Sequence, residues 1–202
     1  MSATERAAQL LPEEDQIRAN VYDLLAALLA RSPSAELLKS CAAIEPGEGA
    51  VGKAFGLLAE RAAQFDVKRA DREYTDLFIG VGRGELLPYA SYYLTGFLNE
   101  KPLATLRDDM ARLGIARAEH VSEPEDHIAS LCDMMAGLIR GRYRGPVPLA
   151  EQRDFYNRHL APWAGHFFSD LEKAVFAGLY APVGALGAAF VEIEKTGFRL
   201  QA

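Results

Sequence analysis

Glu123-Pro124-Glu125-Asp126-His127 is the densest group of titratable side chains in this sequence. Three carboxylates and an imidazole within one short stretch offer acid–base chemistry, metal ligation or recognition of a cation. Each use needs partners elsewhere in the chain. Acid–base work by Glu123 and Glu125 requires a pocket that perturbs them. Metal ligation requires more ligands, and the histidines form two pairs seven apart, His120/His127 and His159/His166. Two helical turns would align each pair, but Pro124 and Pro162 interrupt both. A di-iron bundle needs Glu-x-x-His motifs with further helical glutamates, and that set is absent. A helical metalloprotein enzyme built on His127, Glu123 and the acidic cluster therefore stands only as the alternative reading.

Other chemistries have less behind them. Gly80-x-Gly82-x-Gly84 is neither a dinucleotide fingerprint nor a phosphate loop, because no strand precedes it and no Lys-Ser/Thr follows. It reads as a hinge or a tight loop. No serine or cysteine sits in a recognisable nucleophile motif. Cys41 and Cys132 are too few and too far apart for a zinc site or disulfide framework. The basic run Arg140-Gly141-Arg142-Tyr143-Arg144 fits cations favoured at a helix C-terminus better than a phosphate site.

The elements that must hold these residues are helical. Ile128, Leu131, Cys132, Met135, Leu138 and Ile139 recur at three- and four-residue spacing, so residues 123–140 are predicted as one amphipathic helix. Ser122 and Glu125 have capping-box spacing at its start, and Pro124 suits the first turn. In that helix Asp126 points away from the apolar stripe and His127 lies on its edge. Further helices are predicted at about 13–31, through Leu37 and Leu38, and at about 51–65, 67–78, 88–98, 101–113, 148–160, 162–178 and 182–195. The last is rich in alanine and glycine. No run alternates with period two and no repeat has a fixed period.

The expected class is all-α, a single-domain bundle of about nine to ten helices over residues 1–202. Residues 1–12 read as a disordered leader, and Gly145-Pro146-Val147-Pro148 makes 141–148 a possible hinge. The net charge of −6 and the lack of a long basic block argue against nucleic acid. No signal peptide and no apolar run of membrane-spanning length is visible, so a soluble, cytoplasmic protein is expected.

Aromatic residues add the remaining signal. Tyr74, Leu77 and Phe78 share one helical face, and Pro88-Tyr89-Ala90-Ser91-Tyr92-Tyr93 follows the glycine segment. Tyrosines with apolar bodies and polar tips beside a flexible loop suit a peptide-binding groove.

Taken in order, Tyr22-Asp23-Leu24-Leu25, Tyr74-Thr75-Asp76-Leu77-Phe78, Gly80-Val81-Gly82, Pro88-Tyr89-Ala90-Ser91, Glu123-Pro124-Glu125-Asp126-His127 and His159-Leu160-Ala161-Pro162-Trp163 resemble the TorD/DmsD/NarJ family over roughly residues 15–180. This family comprises maturation chaperones for exported molybdoenzymes. Tyr74 stands where many members have Trp, and Ala90 where an acidic residue is common. The resemblance implies an all-helical chaperone with no catalytic centre. It also implies a partner, the twin-arginine signal peptide and apo form of a molybdenum-containing oxidoreductase. The client would be of the dimethyl-sulfoxide or trimethylamine-oxide reductase, nitrate reductase or formate dehydrogenase type. Carried over to this sequence, the family's peptide-binding positions are Tyr74, Leu77, Phe78, Pro88, Tyr89, Ser91, Asp126 and His127, with Glu123 adding charge. No cofactor is expected; weak contact with guanine nucleotide or molybdenum cofactor follows from the resemblance alone. The chain is expected as a monomer or a domain-swapped homodimer, without membrane insertion.

Overall fold

The computed structural model describes residues 11–117, 123–145 and 147–200. Ten α-helices occur among the described residues, joined by turns and loops, with no strand. In chain order they are α1 (Glu13–Ala30), α2 (Ala35–Ala42), α3 (Gly49–Ala63), α4 (Val67–Tyr74), α5 (Ala90–Thr95), α6 (Lys101–Leu113), α7 (Ile128–Arg140), α8 (Leu149–His159), α9 (Ala164–Lys173) and α10 (Tyr180–Leu200). The all-α expectation and its number of helices agree with this.

The contacts divide the chain into two compact units. The first comprises residues 1–26 and 89–162, the second 27–88 and 163–202. In the first unit α6 and α8 pack on one another, as do α5 with α6 and α7 with α8. Helix α7 is its spine: every residue from Ile128 to Ile139 except Ser130 and Asp133 is buried. Cys132 is among them, and burial pushes its thiol far above the ordinary cysteine range. The basic run at the end of α7 is held internally. Arg140 and Arg142 donate to Asp23, Arg142 also to Asp133, and Arg144 to the last carbonyls of α6. A structural role accounts for all three arginines.

In the second unit α2 packs on α3, α3 on α10, and α9 on α10. The alanine- and glycine-rich composition of α10 has a packing cause. A methyl group at Gly184 or Gly187 would collide with the α9 backbone or with the Phe168 ring. Close approach of two helices requires such small residues. Glu73, at the end of α4, is buried, and one of its oxygens accepts the backbone N–H groups of Gly178 at 2.7 Å and Tyr180 at 2.8 Å.

Several helix boundaries differ from the periodicity. The expected helix over 67–78 is α-helical only to Tyr74 and then widens into a π turn, Thr75–Ile79. Gly80 closes that turn at φ 61° and donates to the Thr75 carbonyl at 2.7 Å. The glycine segment then folds back, so that Glu85 and Leu86 donate to the carbonyls of Asp76 and Leu77. Gly84 lies against the Phe78 backbone with no room for a Cβ. The segment is therefore a tight loop. The helix expected over 88–98 shortens to α5, ended by Gly96, and that expected over 162–178 shortens to α9.

Candidate functional site

The acidic stretch does not open a helix. Helix α7 starts at Ile128, and His127 is its N-cap, with Nδ1 accepting the Ala129 N–H at 3.1 Å. The expected start at 123 is thus corrected by five residues. Ser122, the other half of the expected capping box, lies outside the described residues. The physical reason for the later start is a competing partner. Residues 125 and 126 form a turn, and the extended His127 (φ −63°, ψ 138°) makes an isolated antiparallel bridge with Tyr89, with Ala90 N–H donating to the Asp126 carbonyl at 3.0 Å. Backbone groups bonded across such a bridge cannot also serve a helical turn.

Each acidic side chain consequently has a different place from that expected. Asp126 does not point outward: it is 1% exposed, and its Oδ2 accepts the Ser91 N–H at 2.8 Å. That bond satisfies a free donor in the first turn of α5. Glu125 is buried rather than a solvated cap, and Arg107 grips it with two bonds of 2.8 and 3.1 Å. Arg117 stands 3.8 Å away. Burial works against ionisation of Glu125, but the Arg107 bonds and the two guanidinium charges outweigh it and hold its carboxyl below the ordinary range. Glu123 alone is exposed, and it accepts a hydrogen bond from the Tyr89 hydroxyl.

His127 is buried, and the Tyr89 ring meets it edge-on at 5.1 Å between centroids. A ring nitrogen that accepts a backbone N–H cannot carry a proton, so the Nε2–H tautomer is the one present. Burial is the dominant influence on its titration and lowers the pKa to about 4, against the opposing charges of Glu123 and Asp126. At neutral pH the imidazole is uncharged. It is a cap and an aromatic neighbour, not a cation.

The structure thus brings Tyr89, Ser91, Glu123, Asp126 and His127 together in the first unit. Ser91 is wholly buried and Tyr89 half-buried. Tyr74, Leu77, Phe78 and Pro88 belong to the second unit. There Leu77 has no exposed surface, and Tyr74 donates its hydroxyl to the Leu29 carbonyl at 3.3 Å. The rings of Tyr74, Phe78 and Tyr180 form a contact triad with centroids 5.0 to 6.1 Å apart. Their helical spacing therefore marks the core of this unit more than a contact surface. Phe78 is half-buried, and Pro88 is buried.

Sequence reasoning missed Arg107, Arg117 and Asp109. Asp109 is buried and joins His159 at 2.8 Å, Arg158 at 2.6 Å and Arg112 at 3.4 Å. Burial opposes its ionisation, yet the bonds from His159 and Arg158 hold its carboxyl below the usual range. His159 is buried against it, and burial lowers the imidazole's pKa. These residues lie on α6 and α8, and no local spacing announces the pairing. Among the described residues no group of three or more His, Cys, Asp or Glu side chains is arranged to hold a metal. His120 lies outside the described residues.

Comparison with known proteins identifies the family. The family model described as "Nitrate reductase delta subunit" matches residues 46–169, well over half of the chain. The chain belongs to this family. It is the TorD/NarJ group whose motifs the sequence resembles. Among curated relatives, the chaperone protein TorD of Vibrio cholerae serotype O1 is 32% identical over 130 residues, covering 61% of this chain and 59% of that protein. The chain thus spans about three-fifths of that relative's length. The chaperone protein TorD of Aliivibrio salmonicida is 28% identical over 195 residues, covering 93% of this chain and 86% of that protein. Among solved structures, an Archaeoglobus fulgidus protein described as a redox enzyme maturation protein aligns with TM-score 0.57 and 22% identity, over 87% of this chain and 93% of that one. That likeness concerns the fold. None of the described helices is long and apolar enough to cross a membrane.

Because Glu125 depends on Arg107, Arg107→Ala is expected to destabilise the chain by about 1–2 kcal/mol, with the buried carboxylate left to a more distant Arg117. Urea unfolding at neutral pH measures this. Arg107→Lys should recover only part of the loss, since one ammonium replaces two bonds from a planar fork.

Proposed function

We propose that this chain is a cytoplasmic chaperone, not an enzyme. In this reading it binds the twin-arginine signal peptide of a molybdoenzyme and assists folding and cofactor insertion before export. The client would be a dimethyl-sulfoxide or trimethylamine-oxide reductase, a nitrate reductase or a formate dehydrogenase. The observation that carries the reading is the joining of two distant motifs. Segment 89–91 and segment 123–127 are paired through the Tyr89–His127 bridge, with an exposed carboxylate, a tyrosine and a buried Asp-His pair side by side. The named relatives, TorD chaperones, support the same role.

In this reading the peptide's apolar run contributes most of the affinity, and carboxylates orient its guanidinium groups. Glu125 is already neutralised by Arg107, which leaves Glu123 as the exposed acid. The candidate peptide-binding positions of the first unit are Tyr89, Ser91, Glu123, Asp126 and His127. Those of the second unit are Tyr74, Leu77, Phe78 and Pro88, of which Phe78 alone is not buried. The protein acts as a monomer or a domain-swapped homodimer.

Titrating a fluorescently labelled twin-arginine peptide into the protein tests the reading. Saturable binding is expected. The Tyr89→Ala/Glu123→Gln variant, altered at half-buried and exposed positions, should weaken it by about tenfold, and Asp126→Ala/His127→Ala by at least as much. Absence of saturable binding to any such peptide would sink the proposal, whereas unchanged affinity in both variants would move the site elsewhere.

A further inference from the structure

In the second unit the loop 174–179, between α9 and α10, is fixed through its backbone. Glu85 accepts the Val175 N–H on one carboxylate oxygen at 2.7 Å and the Phe176 N–H on the other at 3.1 Å. Glu73 accepts the N–H groups of Gly178 and Tyr180. Those of Ala174 and Ala177 bond to the carbonyls of Leu171 and Ala174. Two carboxylates thus set the course of the loop, whatever side chains stand at 175 and 176. The side chains present there are apolar and largely in solvent, with Val175 85% and Phe176 54% exposed.

Glu85 also ties this loop to the glycine segment, where Ile79 and Val81 are exposed as well. Phe78, at the base of that segment, meets the Tyr180 ring edge-on at 5.4 Å between centroids, and Tyr180 opens α10. Four exposed apolar side chains therefore stand on two loops joined by one carboxylate, next to the half-buried Phe78. The backbone bonds do not require apolar residues there, and exposed apolar groups gathered on adjoining loops mark a contact surface. Loops already held in place offer that surface at little ordering cost. Over residues 76–85 and 172–178 the ionisable side chains are Asp76, Glu85 and Glu172 against Arg83 and Lys173. These loops have no cationic excess to hold them on an anionic membrane, and they suit a segment whose charged end is positive.

We propose that Ile79, Val81, Val175 and Phe176 form a contact surface for the apolar run of the twin-arginine peptide, with Glu85 as its positioning residue. The inference rests on the signal-peptide reading and extends it to the loop 174–179, which no motif includes. The apolar run packs on Val175 and Phe176 and continues over Ile79 and Val81 toward Phe78. Glu85 does not bind a guanidinium, since both its oxygens are engaged by the loop.

Titration of the full chain with two labelled twin-arginine peptides tests the proposal, one of them with the leucines of its apolar run replaced by serine. Val175→Ser/Phe176→Ser alters exposed positions only, and should weaken binding of the unaltered peptide about tenfold. Binding of the serine-substituted peptide, already weaker, should change less than about twofold. Glu85→Ala should show the same pattern and add nothing to the double variant, because it acts only through the loop. A general loss of structure would instead weaken both peptides alike, and that result overturns the proposal. Equal binding of the unaltered peptide by wild type and Val175→Ser/Phe176→Ser also overturns it, while leaving the signal-peptide reading in place. A wild-type dimer that the double variant turns into a monomer, seen by sedimentation, would assign the surface to a second copy and overturn the proposal. A wild-type chain that binds no twin-arginine peptide overturns the functional reading, and this inference with it.

Discussion

Glu73→Ala is expected to cost about 3–4 kcal/mol of stability, among the largest effects of any single polar substitution in the chain. A single carboxylate oxygen accepts two N–H groups from the loop that leads into α10, at 2.7 and 2.8 Å, more than a hundred residues along the chain. Glu73 is 8% exposed and Tyr180 has no exposed surface, so water cannot replace the lost acceptor at Tyr180 without rearrangement. Each orphaned donor costs about 1–3 kcal/mol. For a chain of this length, the loss amounts to a fall in melting temperature of about 10 °C. Glu73→Gln separates acceptor from charge. It keeps a carbonyl oxygen where the two N–H groups converge, and should lose less than half as much. Urea unfolding of both variants at neutral pH decides between them. Equal losses would mean that the negative charge, rather than the geometry of the acceptor, holds the loop.

Much of the fold was legible because helix periodicity survives packing. The stripe from Ile128 to Ile139 is the buried spine of the first unit, and Cys132 is a core residue as its place on the stripe implies. Helix α6 begins and ends at the residues its pattern indicates, Lys101 and Leu113, since Pro102 and Gly114 punctuate it. What failed was the reading of termini where a tertiary partner competes with the helix. Pro124 and the acidic residues look like a first turn. The chain instead spends residues 126 and 127 on a bridge with Tyr89, and no local rule indicates that a segment 38 residues away will take those bonds. Likewise Tyr74, Leu77 and Phe78 have the same spacing whether they line a groove or fill a core. Here Leu77 is fully buried, and a π turn beginning at Thr75 alters the face on which Phe78 falls.

The motif series indicates which residues lie together in the first unit, but not how they are paired. Tyr89, Ser91, Asp126 and His127 do converge, as the motif series implies. Their protonation and pairing depend on residues without a motif. Arg107 and Arg117 neutralise Glu125, which removes one of the three carboxylates from any role in binding a cation. Asp126 is buried and bonded to the Ser91 N–H, a pairing that no spacing announces. A charge count along the sequence overstates the negative field that a ligand meets at this stretch, because it cannot tell a carboxylate already paired from a free one.

The second large effect concerns acid stability and originates at His127. Its pKa falls from 6.5 to about 4 on folding, because the imidazole is buried and its Nδ1 holds the Ala129 N–H. The unfolded chain binds the proton more readily than the folded one, so stability rises with pH through this window. The contribution is complete above pH 6.5 and is lost as pH falls toward 4. The loss is about 2 kcal/mol by pH 5 and about 3 kcal/mol by pH 4. His159, which burial also holds below its ordinary value, titrates in the same direction, so the wild-type profile alone does not isolate His127. His127→Asn does. Asparagine can still accept the Ala129 N–H as an N-cap and carries no titrating group. The variant should be less stable than wild type at pH 7.5, because it forfeits the Tyr89 ring contact. The difference between the two should then shrink by about 2 kcal/mol as pH falls to 5, as measured by urea midpoints at half-unit intervals. A constant difference across that range would place the lost stability in other groups. It would also mean that His127 binds its proton as readily in the folded chain as in the unfolded one.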